Sequence, residues 1–223
     1  MITAGLLMVL FVGWQLWWTD VVAGVEQQQI ATDLRESWAD DRRSAPAPAA
    51  VSEPEVPADP PAVAAPAPGE AFGLLHVPRF GAGYEARPLV EGTSLDLLED
   101  GVGHYAQSAL PGAVGNFSVA GHRVTYGRPF YDIEDLVDGD AIVVETAGAW
   151  FTYRVRSQLV VPPDRVDVVA PVPEQPGVEP TERLLTLTTC HPQYSARERY
   201  IVHAVLESWQ PAADGPPESL EVP

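Results

Sequence analysis

The sequence has a single cysteine, Cys190. One thiol excludes an internal disulfide framework and any multi-cysteine zinc site. Basic residues are scarce: 13 Lys plus Arg stand against 31 Asp plus Glu, a net charge of -18. That balance argues against nucleic acid as a partner and against a basic patch for a membrane surface. Long helical periodicity and internal repeats are also missing from the globular part, so its reading turns to short strands.

What is present falls into successive regions along the 223 residues. Residues 1–23 read as a transmembrane anchor. Met1 to Thr19 carry no charge, and Trp14, Trp17 and Trp18 gather toward one end like an interfacial belt. As a helix, that stretch rises roughly 28 Å, close to a bilayer's hydrocarbon core. A cleaved signal peptide, with Val21-Val22-Ala23 as its small-residue site, and a buried helix are the alternatives. Residues 24–70 read as a juxtamembrane segment followed by a disordered Pro/Ala linker. Val25 to Arg43 looks marginally helical, with charges on most faces. From Ser44 to Gly69, eight of 26 residues are Pro and nine are Ala. Proline fixes φ and lacks the amide donor, so this run is expected as a semi-stiff spacer of up to roughly 80 Å.

Residues 71–210 carry the globular domain. Strands are expected at Phe72–Val77, Asn116–Ala120, Ala141–Glu145, Trp150–Ser157, Leu184–Thr189 and Tyr200–Leu206, with a weaker one near Arg165–Val169. In the fourth, Phe151, Tyr153 and Val155 alternate with Thr152, Arg154 and Arg156, the pattern of a half-buried strand. The short link Thr146–Ala149 reads as a hairpin. Short helices fit at Ser94–Glu99 and Asp132–Val137. The fold class is all-β, a mostly antiparallel barrel or sandwich. Residues 211–223 read as a polar, disordered tail.

Cys190 ends a Leu/Thr-rich strand and is followed by the loop-formers His191-Pro192-Gln193. A strand-end thiol is accessible, as a nucleophile must be, although most lone cysteines are buried small hydrophobes. Of the five histidines, His76 and His203 lie within strands. His191 is adjacent to Cys190 and points to the opposite face of an extended chain. His122 and His104 remain, both at loop positions, and position favours His122 because it too follows a strand. Arg199 begins the strand after the Cys190 loop. Antiparallel pairing would bring it back beside the thiol, where a fixed guanidinium can donate to a developing oxyanion. Arg197, inside the loop, is its rival.

These residues together resemble the sortase family of cysteine transpeptidases. Thr186-Leu187-Thr188-Thr189-Cys190 is similar to the family's Thr-Cys strand end. Arg199 before Tyr200-Ile201-Val202-His203-Ala204 is similar to its arginine, and Gly115–Arg123 to its histidine segment. Gly103-His104-Tyr105, Ala109-Leu110-Pro111-Gly112, His122–Gly127 and Cys190-His191-Pro192 are most similar to class E, the housekeeping type of high-GC Gram-positive bacteria. The resemblance implies a closed eight-stranded barrel. It implies catalysis by His122, Cys190 and Arg199, with Thr189 lining the substrate pocket, and no cofactor or metal. It further implies partners: secreted proteins bearing a Leu-Ala-x-Thr-Gly or Leu-Pro-x-Thr-Gly signal, cleaved between Thr and Gly, and a peptidoglycan precursor or other cell-wall amine that accepts the acyl group. The expected location is the cell membrane, single-pass, with the domain on the extracellular face. A hydrolytic cysteine peptidase and a non-catalytic tethered binding domain are the other readings. No residue stands out as orienting His122.

Overall fold

A computed structural model describes residues 2–44 and 59–220. Eight strands form the body: β1 (Ala71–His76), β2 (Arg87–Glu91), β3 (Val102–His104), β4 (Gly115–Ala120), β5 (Ala141–Thr146), β6 (Ala149–Val161), β7 (Arg183–His191) and β8 (Glu198–Pro211). They close into a barrel in the order β1-β2-β3-β4-β7-β8-β6-β5. All neighbours are antiparallel except β2 with β3 and β4 with β7.

The alternation read from the sequence sets the barrel's two faces. Phe151, Tyr153 and Val155 of β6 enter the core with Phe117 and Val119 of β4 and Leu185 and Leu187 of β7. Arg154 and Arg156 face out, paired with Glu207 and Glu182 at 2.7 Å each. The Tyr153 hydroxyl accepts from the Gly112 amide at 2.8 Å, so this ring is buried with its polar tip satisfied.

Several expectations are corrected. Strands β2 and β3 lack the alternation that marks the others: β2 contains Pro88, and β3 has three residues, one of them Gly103. The weak strand near Arg165–Val169 is a 3-10 turn, Val166–Val169. Its Val168 and Val169 pack with Val161 and Ile201 in a small cluster of their own instead of pairing in a sheet. The two expected helices shrink to single 3-10 turns, Leu97–Glu99 and Ile133–Asp135.

The N-terminal region differs most. One helix, α1, runs from Ile2 to Ser44. Among the described residues no helix is long and apolar enough to cross a membrane, so the transmembrane anchor over 1–23 is not supported. Asp20 already turns to the barrel, with its carboxylate 3.0 Å from Arg128. Further along α1, Ala31 and Trp38 cover Leu74, the outward residue of β1. Arg35 meets the largely buried Glu145 at 2.9 Å. Of the expected disordered linker, residues 45–58 lie outside the described residues. Residues 59–70 run along the barrel instead of standing free: Asp59 pairs with Arg183 at 2.7 Å, and the Gly69 amide donates to the Glu91 carbonyl at 2.8 Å. The expected disordered tail is folded through residue 220 as two 3-10 turns, with Gln210 Nε2 donating to the Gly215 carbonyl at 2.8 Å.

Candidate active site

Strand register decides which residues meet. In the parallel pair β4–β7, Ala120 lies beside Thr188. The Gly121 amide then donates to the Thr188 carbonyl at 3.1 Å, so the alignment continues past the strand end. Two residues beyond β4, the same offset would bring His122 level with Cys190. In the antiparallel pair β7–β8, Cys190 lies opposite Arg199. The three residues therefore sit at the ends of three neighbouring strands, β4, β7 and β8.

Cys190 and Arg199 also share a face. Leu185 and Leu187 point into the core, so Thr186, Thr188 and Cys190 point outward. The same alternation turns Ser118 and Ala120 outward on β4, and His203, Ile201 and Arg199 outward on β8. Cys190 is half-buried, as accessible nucleophiles are.

His122 is held below its ordinary pKa of 6.5, chiefly by burial, against an opposing pull from the Glu99 carboxylate. Its Nε2 is buried and has no hydrogen-bond partner among the described residues. The Tyr126 ring lies 5.0 Å from the imidazole. Arg199 Nη1 donates to the Ala196 and Glu198 carbonyls at 3.0 and 2.9 Å. The guanidinium is therefore folded onto its own loop and must turn toward Cys190 to reach a substrate oxygen.

The rival histidines are placed elsewhere. His104 is buried, bonded through Nδ1 to Glu91 at 2.6 Å and through Nε2 to Ser108 Oγ at 2.9 Å. A Ser–His–Glu relay resembles a hydrolytic triad, but Nε2 also faces the Ala109 carbonyl at 3.1 Å. Both ring nitrogens are thus engaged within this buried cluster. His191 packs on Tyr200, its ring centroid 5.6 Å away, with Nδ1 3.0 Å from Glu134. His76 pairs with Glu145 at 3.0 Å, and His203 meets the Thr186 hydroxyl at 2.9 Å.

Thr189, expected in the substrate pocket, has a different place. Alternation puts it on the face opposite Cys190. Its side chain is buried, with the hydroxyl donating to the Gly121 carbonyl at 2.7 Å. It ties the end of β7 to the end of β4 and so fixes the spacing of Cys190 and His122. Thr188 is the threonine on the site's own face, with its hydroxyl 3.2 Å from that of Tyr105. Sequence reasoning gave no role to Arg123 either. Its guanidinium is buried behind the site, 3.0 Å from Glu134, and donates to the Tyr131 carbonyl at 3.1 Å and the Cys190 carbonyl at 3.5 Å. Its position beside His122 was the only available signal.

The barrel and its strand ends have close parallels. Residues 75–207 match the family described as the sortase domain. Sortase SrtE1 of Streptomyces coelicolor is 40% identical over 98% of this chain, which covers 58% of that relative's length. Sortase SrtE2 of the same organism is 36% identical over 92% of this chain and 79% of its own length. Among solved structures, sortase E1 from Streptomyces coelicolor with a tripeptide in the active site is 42% identical, covers 69% of this chain and 98% of its own, and superposes with a TM-score of 0.63. The SrtA sortase from Actinomyces oris is 40% identical over 75% of this chain and 96% of its own, with a TM-score of 0.70. Since fold and sequence agree across the barrel, the chain belongs to the sortase family of cysteine transpeptidases.

Proposed function

We propose that the chain cleaves a sorting signal of the Leu-Ala-x-Thr-Gly or Leu-Pro-x-Thr-Gly type between Thr and Gly and transfers the new acyl group to a cell-wall amine. The observation that carries this reading is the register that sets Cys190 opposite Arg199, with His122 two residues past the end of the neighbouring β4. The Cys190 thiolate attacks the Thr carbonyl carbon, and the carbonyl oxygen takes the negative charge. Arg199, turned across from its loop, donates to that oxyanion. The tetrahedral adduct collapses as the protonated His122 gives its proton to the leaving Gly nitrogen, leaving a thioester on Cys190. An incoming amine attacks the thioester, gives its proton back to His122, and Cys190 leaves as thiolate. Productive turnover needs a protonated imidazole beside a deprotonated thiol. Burial of His122 works against the charged imidazole that this step needs, and the Glu99 carboxylate works for it.

The same reading places the domain on the outer face of the cell membrane. Leu6, Leu7, Met8, Leu10 and Phe11 on α1 are each more than half exposed, and Trp14 and Trp18 stack with centroids 6.0 Å apart. An uncovered apolar run of this kind favours a lipid surface. Fractionation of cells with and without Leu6→Asp and Phe11→Asp checks it: the wild type should sediment with membranes and the double variant should shift to the soluble fraction.

The chemical test uses the full chain with both signal peptides and a small amine. Mass spectrometry should find a thioacyl adduct on Cys190 and an amine-ligated product. Cys190→Ala should give neither. Hydrolysis alone, with amine present, would favour a peptidase, and no adduct with either peptide would remove the proposed substrate class.

A further inference from the structure

We propose that the N-terminal helix is a positioning element for His122, with Gln27 and Asp20 holding the loop that follows the imidazole. The inference rests on the reading of His122 as the proton-transfer group. It starts from a backbone anomaly. Tyr126, Gly127 and Arg128 lie in succession in the left-handed region, with φ of 52°, 71° and 49°. Tyrosine and arginine adopt this region rarely, and a run of three persists only where surrounding contacts over-determine it.

Each of the three is met by α1. Gln27 Nε2 donates to the Tyr126 carbonyl at 3.0 Å. A Cβ at Gly127 would lie 2.7 Å from Gln27 Oε1, so only glycine allows the helix this close. Arg128 Nε lies 3.0 Å from the Asp20 carboxylate. Gln27 is fully buried and its amide is saturated. Nε2 also donates to the Glu99 carbonyl at 2.8 Å, and Oε1 accepts from Arg87 Nη1 at 3.1 Å. An apolar side chain would suffice to dock a helix. A buried amide matched to two carbonyls and one guanidinium specifies geometry instead.

The two carbonyls that Gln27 holds belong to the two residues facing His122. The Tyr126 ring lies 5.0 Å from the imidazole, and Glu99 is the carboxylate that opposes its loss of charge. The Tyr126 hydroxyl in turn bonds Glu99. The clamp therefore fixes the ring, the carboxylate and the loop geometry together. Releasing it should let His122 leave its place beside Cys190 without opening the barrel.

The test uses the full chain with Gln27→Met, with Asp20→Arg, and with Asp20→Arg combined with Arg128→Asp. Three quantities are read: thioacyl formation on Cys190, the His122 titration midpoint by NMR, and the melting temperature. Gln27→Met should lower kcat by about tenfold or more while KM stays within about twofold, because misplacing a catalytic group acts on the transition state. It should also move the His122 midpoint. Asp20→Arg should act in the same direction, and the charge exchange with Arg128→Asp should restore most of the loss. Folded variants with unchanged kcat and an unchanged His122 midpoint would overturn the proposal, as would a melting-temperature change alone. If Gln27→Met fails to fold, the surface exchange pair decides. If the wild type forms no adduct with any signal peptide, the transpeptidase reading fails, and the His122 midpoint and the rate of Cys190 alkylation by iodoacetamide still judge the clamp.

Discussion

An imidazole nitrogen buried without a partner is the most informative atom of the site. His122 Nε2 sits in that state, and burial holds the ring below its ordinary pKa of 6.5 while Glu99 pulls the other way. Two outcomes follow for the free protein. The NMR midpoint of His122 should lie below 6.5, and Glu99→Gln should lower it further, because the substitution removes a carboxylate that favours the charged form. The sign for stability is fixed by the same shift. The unfolded chain binds the proton more readily, so His122 costs nothing well above pH 6.5 and weakens the fold as pH falls through that value. Arginine makes a second residue-scale case. Arg199 lies opposite Cys190 in register, whereas Arg197 lies in the loop with its amide on Ser195 Oγ at 3.3 Å. Arg199→Ala should lower kcat about a hundredfold or more, the loss typical of an oxyanion donor. Arg197→Ala should stay near wild type in the same peptide assay.

At the scale of elements, the site depends on how the ends of β4 and β7 are fastened. Thr189→Val keeps the shape but leaves the Gly121 carbonyl without its 2.7 Å donor. A buried acceptor left unpaired costs about 1–3 kcal/mol, which urea unfolding should register. Gly121→Ala tests the other side of the junction. Its Cβ would meet Phe130 Cε2 at 2.7 Å and Pro129 Cγ at 3.1 Å, so the loop carrying His122 must shift. We expect about 1–3 kcal/mol of destabilisation and a larger proportional loss of activity than of stability. Legibility also varied by element. Strands β4, β6, β7 and β8 could be read because alternating side chains record which face is buried. β2 and β3 could not, because a proline, a glycine and three-residue length erase the alternation.

For the molecule as a whole, the docked helix is the feature that pH should test. Burial alone would raise the Glu145 pKa, but hydrogen bonds from His76 and Arg35 outweigh it and hold the carboxyl below 4.5. A depressed carboxyl stabilises the fold above its unfolded value, and that contribution disappears as pH falls through the folded value. Trp38, packed over Leu74 beside this pair, should therefore report helix release on acidification below about pH 4.5 by a red-shifted fluorescence. Glu145→Gln should flatten the transition. None of this docking was legible in the sequence. The charges on α1 look scattered until the barrel supplies Glu145 and Arg128 as complements to Arg35 and Asp20.

The sequence by itself determined the strand-rich fold class, the strand ends that carry Cys190, His122 and Arg199, and the family those motifs resemble. These are local facts, written in alternation, loop-formers and short runs around each residue. Only the tertiary structure decided where the rival histidines sit, which threonine faces the site, and what α1 touches. Those answers depend on register between strands β4 and β7, 68 positions apart in the chain, and on a helix meeting a loop about 100 residues away. Such pairings arise when the barrel closes and buries both partners together, and no local run of residues encodes them.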